Sequence, residues 1–167
     1  MIDRRSLLKA GAAFGALALT TSGKAAPMST TDTIDFKKLS DMDWRQRLNA
    51  QQYMVLRAHG TERPGTSPLN KEKRKGTFAC AGCELPLFSS DTKFESGTGW
   101  PSFYEPLPNA VGTKTDRSLF MSRTEVHCSR CEVHLGHVFN DGPKPTGLRY
   151  CMNGVALKFV PEARGSS

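Results

Sequence analysis

The stretch Cys80-Ala81-Gly82-Cys83 returns in form, after 44 intervening residues, as Cys128-Ser129-Arg130-Cys131, and the reading of these four thiols decides the fold. Each C-x-x-C pair sets two soft thiolates on one tight loop, and two such loops make a closed tetrahedral S4 site in which Zn²⁺ is the usual occupant. The long insert is no obstacle, because loop closure costs only about 0.6 kcal/mol more per doubling of length. Two disulfides, or a thioredoxin-like dithiol, are the rival readings for a chain that meets an oxidising compartment. A redox C-x-x-C wants a strand-to-helix junction, and neither pair is followed by a helical pattern. Ala81-Gly82 suits a metal knuckle better, so one structural zinc per chain on Cys80, Cys83, Cys128 and Cys131 is expected.

Around the knuckles Gly and Pro recur every few residues from Gly60 onward, which leaves room only for short strands and loops. Gly76 to Ala79, Leu119 to His127 and Arg149 to Val160 are the predicted strands. Ahead of them, Ser40 with Asp43, Trp44 and Leu48 reads as a capped helix, and Asn49 with Gln52, Tyr53, Val55 and Leu56 starts a second that ends near Gly60. The expected fold is mainly β and mostly antiparallel, with two short N-terminal helices.

At 167 residues, 38% hydrophobic and 23% charged, the chain suits one globular domain and excludes a solenoid, a collagen or an acidic tail protein. Residues 1–25 read as an export signal. Arg4 and Arg5 supply the charged start, Ala10 to Leu19 a mild apolar stretch too short to span a bilayer, and Gly23 and Ala25 the small residues at −3 and −1 of a cleavage site. The arginine pair resembles a twin-arginine (Tat) signal, which exports folded proteins to the periplasm; an ordinary secretory signal or an uncleaved anchor are the alternatives. The first 25 residues hold four basic and one acidic residue, so their removal lowers the formal charge from +7 to about +4. That excess is too small to argue for nucleic acid. No stable membrane association is expected, and a monomer is. Residues 26–38 read as a linker, 39–162 as the domain and 163–167 as a flexible tail.

Cys151 is left without a partner once four thiols are committed to metal. A lone Cys in a strand is more often core than nucleophile, but strand alternation puts Arg149 and Asn153 on its face, and a guanidinium and an amide beside a thiol favour its thiolate. Directly after Cys131 come His134 and His137, three apart. They fit extra metal ligands, surface residues, or the acid that an activated thiol needs. Spacing alone does not show that they meet Cys151. Trp100, on the glycine-rich loop from Ser96 to Phe103, reads equally as a packed indole or as a flat apolar wall of a site.

Three blocks together resemble a family: Lys93-Phe94-Glu95-Ser96-Gly97-Thr98-Gly99-Trp100-Pro101-Ser102-Phe103, His134-Leu135-Gly136-His137-Val138-Phe139, and Arg149-Tyr150-Cys151-Met152-Asn153. With both C-x-x-C pairs in the same order they look like the signature of the methionine-R-sulfoxide reductases, the MsrB family, over about Ser40 to Phe159. The resemblance implies two antiparallel sheets braced by zinc. It also implies reduction of methionine-R-sulfoxide, protein-bound and free, to methionine, in repair of oxidised proteins.

Carried over position by position, it makes Cys151 the nucleophile that ends as a sulfenic acid. His137 is the first choice of proton donor, with His134 orienting it or the oxygen. Asn153 would hold substrate or His, Trp100 would pack on the substrate methyl, and Phe139 and Arg149 would complete the substrate site. The partners implied are oxidised proteins or peptides and a thioredoxin-like, glutaredoxin-like or small-thiol reductant. Three departures stand out. Gly154 replaces a common Ser, Arg63-Pro64-Gly65 interrupts a common Pro-Phe motif, and Thr98 stands where many members carry a resolving cysteine. Without that cysteine an external thiol must regenerate Cys151.

Overall fold

Both N-terminal helices begin where a side chain takes over orphan backbone donors. In a computed structural model, which describes residues 34–117 and 122–163, Ser40 Oγ accepts from Asp43 N at 3.2 Å while Asp43 Oδ2 accepts from Ser40 N at 2.8 Å, opening α1 (Asp41–Arg47). Asn49 and Gln52 exchange the same pair of bonds and open α2 (Ala50–Leu56). Trp44, Leu48, Val55 and Leu56 are buried from these two turns of chain. The second helix stops at Leu56, four residues before Gly60, and His59 beyond it lies in the left-handed region at φ 55°. Phe36–Lys38, within the stretch read as linker, forms a short 3-10 turn whose Phe36 ring lies 6.3 Å from that of Trp44. The signal reading, residues 26–33 of the linker, the first residues of the strand predicted from Leu119, and residues 164–167 lie outside the described residues.

The strands are β1 (Gly76–Cys80), β2 (Pro86–Ser89), β3 (Lys93–Phe94), β4 (Ser102–Phe103), β5 (Val111–Asp116), β6 (Arg123–Cys128), β7 (His134–Phe139), β8 (Arg149–Met152) and β9 (Leu157–Pro161). They form two antiparallel sheets, one of three strands in the order β2-β1-β9 and one of six in the order β3-β4-β8-β7-β6-β5. The mainly β architecture expected from the sequence is therefore the one observed. Phe78 and Phe88 from the smaller sheet meet Phe103 from the larger one at ring-centroid distances of 4.9 and 4.4 Å, and this aromatic cluster joins the two sheets through the core.

One expectation is overturned. Arg149 to Val160 is not one strand but two, β8 in the larger sheet and β9 in the smaller, divided by a 3-10 turn at Gly154–Ala156. The cause is remote in sequence. The buried carboxylate of Glu62 accepts from Gly154 N at 2.6 Å and Val155 N at 3.0 Å, which takes both amides away from any ladder and turns the chain from one sheet to the other.

The same turn explains a departure from the family pattern. A Cβ on Gly154 would lie 1.9 Å from Ser67 Oγ and 2.3 Å from its Cβ, so Ser67 occupies the space that a serine at 154 would need. In the glycine-rich loop, Gly99 has φ 91° and its Cβ position is 2.8 Å from Pro64, whose neighbour Gly65 donates its N–H to Gly99 O at 2.7 Å. The Arg63-Pro64-Gly65 variation thus packs directly on that loop, and only glycine fits there.

Candidate active site and metal centre

Each C-x-x-C turn is built the same way. Cys80 ends β1 and Cys128 ends β6; the residues after the second cysteines, Glu84 and Glu132, both adopt φ 59° and donate their N–H back to Cys80 O and Cys128 O at 2.8 and 2.9 Å. Non-glycine residues rarely hold this conformation. Each of the two glutamates is tied down by a lysine, Glu84 by Lys158 at 2.5 Å and Glu132 by Lys37 at 2.7 Å.

The two turns bring four buried sulfurs together, all within 4.8 Å of one another. Cys80 and Cys131 sulfurs are 3.7 Å apart and those of Cys83 and Cys128 3.5 Å. A disulfide needs about 2.05 Å. A tetrahedral site with a metal–sulfur distance of about 2.3 Å has edges of about 3.8 Å. The spacing fits the metal and not the disulfides, and the cluster ties the β1–β2 turn of one sheet to the β6–β7 turn of the other.

Cys151, on β8, lies directly across from Ser102 on β4 and His137 on β7. Strand register alone therefore sets a hydroxyl and an imidazole beside the thiol. Burial pushes the Cys151 thiol above its ordinary range; a hydrogen bond from the Thr98 hydroxyl, the nearby Arg149 guanidinium and a bond from Ser102 pull the other way and do not overcome it. The thiolate expected from Arg149 is thus outweighed by desolvation, and the resting group is a thiol. Thr98 Oγ1 lies 3.9 Å from the sulfur and is itself held by Ser96 at 2.8 Å.

The sulfur opens into a cavity of about 200 Å³ lined by Thr61, Trp100, Arg123, Gly136, His137, Phe139, Cys151 and Asn153. That is below the roughly 300–1,000 Å³ of sites that enclose drug-sized ligands, so a single small side chain is the natural guest. Trp100 is fixed by its indole N–H to Glu62 O at 3.2 Å. His137 Nε2 lies 2.8 Å from Asp116 Oδ2, which also takes Arg123 at 2.8 Å.

Not every expected residue faces the cavity. His134 is buried beside it, its ring 5.4 Å from that of His137 and edge-on, so it contacts that imidazole and does not line the cavity. Burial holds its pKa below the ordinary histidine range despite Glu125 at 3.1 Å. Arg149 is also behind the wall: it makes a bidentate pair with Asp141 at 2.8 Å and stacks 4.4 Å over the Phe139 ring. Asn153 lines the cavity, yet its amide is used within the protein, donating to Leu135 O at 3.0 Å and accepting from Glu62 N at 2.9 Å.

Glu62 was not singled out by the sequence for the site, although it orders Trp100, Asn153 and the turn after β8 at once. Asp116, Arg123 and Thr61 were missed too. Asp116 and Arg123 sit in polar strand segments that carry no motif, and only the pairing of β5 with β6 brings them to β7.

Fold and site define a class: a two-sheet β protein with a half-buried thiol and an imidazole in one small cavity, apart from a closed four-cysteine metal centre. Comparison with known proteins makes the assignment particular. Residues 48–161 match the SelR domain, and the chain belongs to that family. The relatives named peptide methionine sulfoxide reductase MsrB include one from Leptospira interrogans, 57% identical over 124 residues covering 74% of this chain and 95% of the relative. Others are from Agrobacterium fabrum, 55% identical over 73% of this chain and 91% of the relative, and from Pseudomonas putida, 58% identical over 71% and 90%.

Proposed function

We propose that this chain reduces methionine-R-sulfoxide to methionine in oxidised proteins, with Cys151 as the nucleophile. The observation that carries the reading is the cross-strand pair of Cys151 with His137 in a cavity walled by Trp100 and Phe139. The Cys151 sulfur attacks the sulfoxide sulfur while the thiol proton passes by way of His137 to the oxygen; the hydroxyl then moves from that sulfur to Cys151 as the sulfur–oxygen bond and the transient sulfur–sulfur bond break, and the thioether leaves. A thiol and a sulfoxide thereby become a sulfenic acid and a thioether, so atoms and electrons balance. The proton is needed because an unprotonated sulfoxide oxygen is a poor leaving group.

Trp100 and Phe139 offer an apolar wall to the methyl group, and His137, held by Asp116, the polar one to the oxygen. Exchanging the two would set the oxygen against the indole, so one epimer is accepted. His134 and Asn153 act as positioning residues, the one packed on His137 and the other fixing the strand edge at Leu135. An external thiol then attacks the sulfenic sulfur, water leaves, and a second thiol resolves the mixed disulfide. Thioredoxin-like, glutaredoxin-like and small-thiol donors all satisfy that chemistry.

Zinc is the metal proposed for Cys80, Cys83, Cys128 and Cys131, from the all-sulfur donor set and the closed tetrahedral spacing. It supplies no chemistry to the cavity; those four side chains hold the sheets in place. The periplasm is proposed as the working compartment from Arg4 and Arg5, and a Lys-Lys replacement that is still exported at the normal rate would point to the ordinary secretory route. The function itself is tested with separated epimers of a methionine sulfoxide peptide and the purified protein. Turnover of R with none of S is expected, and equal rates on both would overturn the reading.

A further inference from the structure

Outside both centres, three metal-ligating side chains converge between the loop after α2 and the larger sheet. Glu125 on β6 and His134 on β7 are buried, with 4% and 2% of their surface exposed, and His59 from the loop covers them. Glu125 Oε1 lies 3.1 Å from His134 Nδ1 and 3.5 Å from His59 Nδ1, and the three ligand atoms fall within 4.8 Å of one another.

The contact with His134 is at hydrogen-bond distance but not at hydrogen-bond angle. Glu125 Oε1 and both ring nitrogens of His134 therefore have no hydrogen-bond partner, although each is enclosed. Buried polar atoms are almost always satisfied. Atoms that crowd together without pointing at one another are arranged as ligands of a common third point are. The other carboxylate oxygen, Oε2, already has its counter-charge in Lys114 at 3.4 Å, which leaves Oε1 as the oxygen without one. His59 is half exposed, so one side of the cluster opens to water.

We infer that His59, Glu125 and His134 form a second cation site, independent of the four cysteines, that takes one exchangeable first-row divalent ion through two imidazole nitrogens and one carboxylate oxygen. Two imidazoles and a carboxylate select zinc, cobalt, nickel or copper over calcium and magnesium, and leave coordination positions open for water. Lys114 beside the carboxylate opposes a dication and keeps the ion loosely held. Because the His134 ring packs on that of His137, an ion there places positive charge behind the cavity imidazole, and reversible slowing of the enzyme is the expected consequence. The binding claim does not rest on the proposed reaction.

Protein whose cysteine centre is filled with zinc is titrated with Co²⁺ and followed by visible absorption and calorimetry. One further equivalent is expected, with weak ligand-field bands and no sulfur-to-cobalt charge transfer. His59→Ala, at a half-exposed position that leaves the core intact, should weaken that equivalent at least about tenfold. Lys114→Met should strengthen it, and Cys151→Ser should leave it unchanged. Absence of a second equivalent, its survival in His59→Ala, or its loss in Cys151→Ser would each overturn the assignment, the last by placing the ion on the cavity thiol.

Discussion

The four clustered cysteines and Cys151 differ in what each sulfur faces. Cys80, Cys83, Cys128 and Cys131 face one another at spacings that suit a tetrahedral ion, inside turns closed by backbone bonds and by lysine–glutamate pairs. Cys151 faces a threonine hydroxyl, an arginine two residues away and a histidine across the strand pair, and opens into a cavity. The first arrangement spends its thiols on holding two sheets together. The second leaves one thiol accessible and buried enough to stay protonated at rest. The side chain is the same in all five, and its partners decide between structure and chemistry.

Crossed substitutions give the largest effect. Cys128→Ser should lose the metal, and with it a contribution on the order of 10 kcal/mol of binding energy that is coupled to folding. Metal analysis and thermal denaturation check this. Cys151→Ser should keep its metal and melting temperature while turnover of the R sulfoxide falls to background. If Cys128→Ser stayed folded and active, the division between the two regions would fail.

Next in size is His137→Gln, which keeps a side chain of similar reach but removes the proposed acid; kcat for the R sulfoxide should fall about 10²- to 10⁴-fold with metal content unchanged. The raised pKa of Cys151 gives a third, graded effect. A buried thiol whose ionisation lies above the ordinary range is protonated at neutral pH, so its thiolate fraction, and its alkylation rate by iodoacetamide in the free enzyme, should climb about tenfold per pH unit through neutrality and not level off below pH 9. A plateau near pH 7 would show that Arg149 and Thr98 overcome burial after all.

The helix caps and the two knuckles were legible because their signals are local: a Ser or Asn three residues before its capping partner, and a Cys three residues before another. The break between β8 and β9 was not, since the carboxylate that makes it belongs to Glu62, more than ninety residues earlier. His137 was readable as a candidate acid, but Asp116 that orients it was hidden in the polar strand β5. His134 was expected at the chemistry and Arg149 in the substrate site, yet both lie behind the cavity wall, because sequence gives the face of a strand and not the depth at which a long side chain ends. The smallest effect comes from such a hidden contact: Gly154→Ser should destabilise the fold by about 1–3 kcal/mol against Ser67, and Ser67→Gly in the same chain should restore most of it, as read by denaturant midpoints.

The contrast between the two regions is tested most directly by giving the reduced, metal-loaded enzyme one equivalent of R sulfoxide in the presence of dimedone and then mapping every cysteine by mass. Thr98 supplies no second thiol beside Cys151, so the account predicts a dimedone adduct on Cys151 alone, with the metal retained. A Thr98→Cys chain, treated in the same way, should give a Cys151 disulfide to the new residue instead. A disulfide in the unaltered chain from Cys151 to Cys80, Cys83, Cys128 or Cys131, with release of the metal, would contradict it.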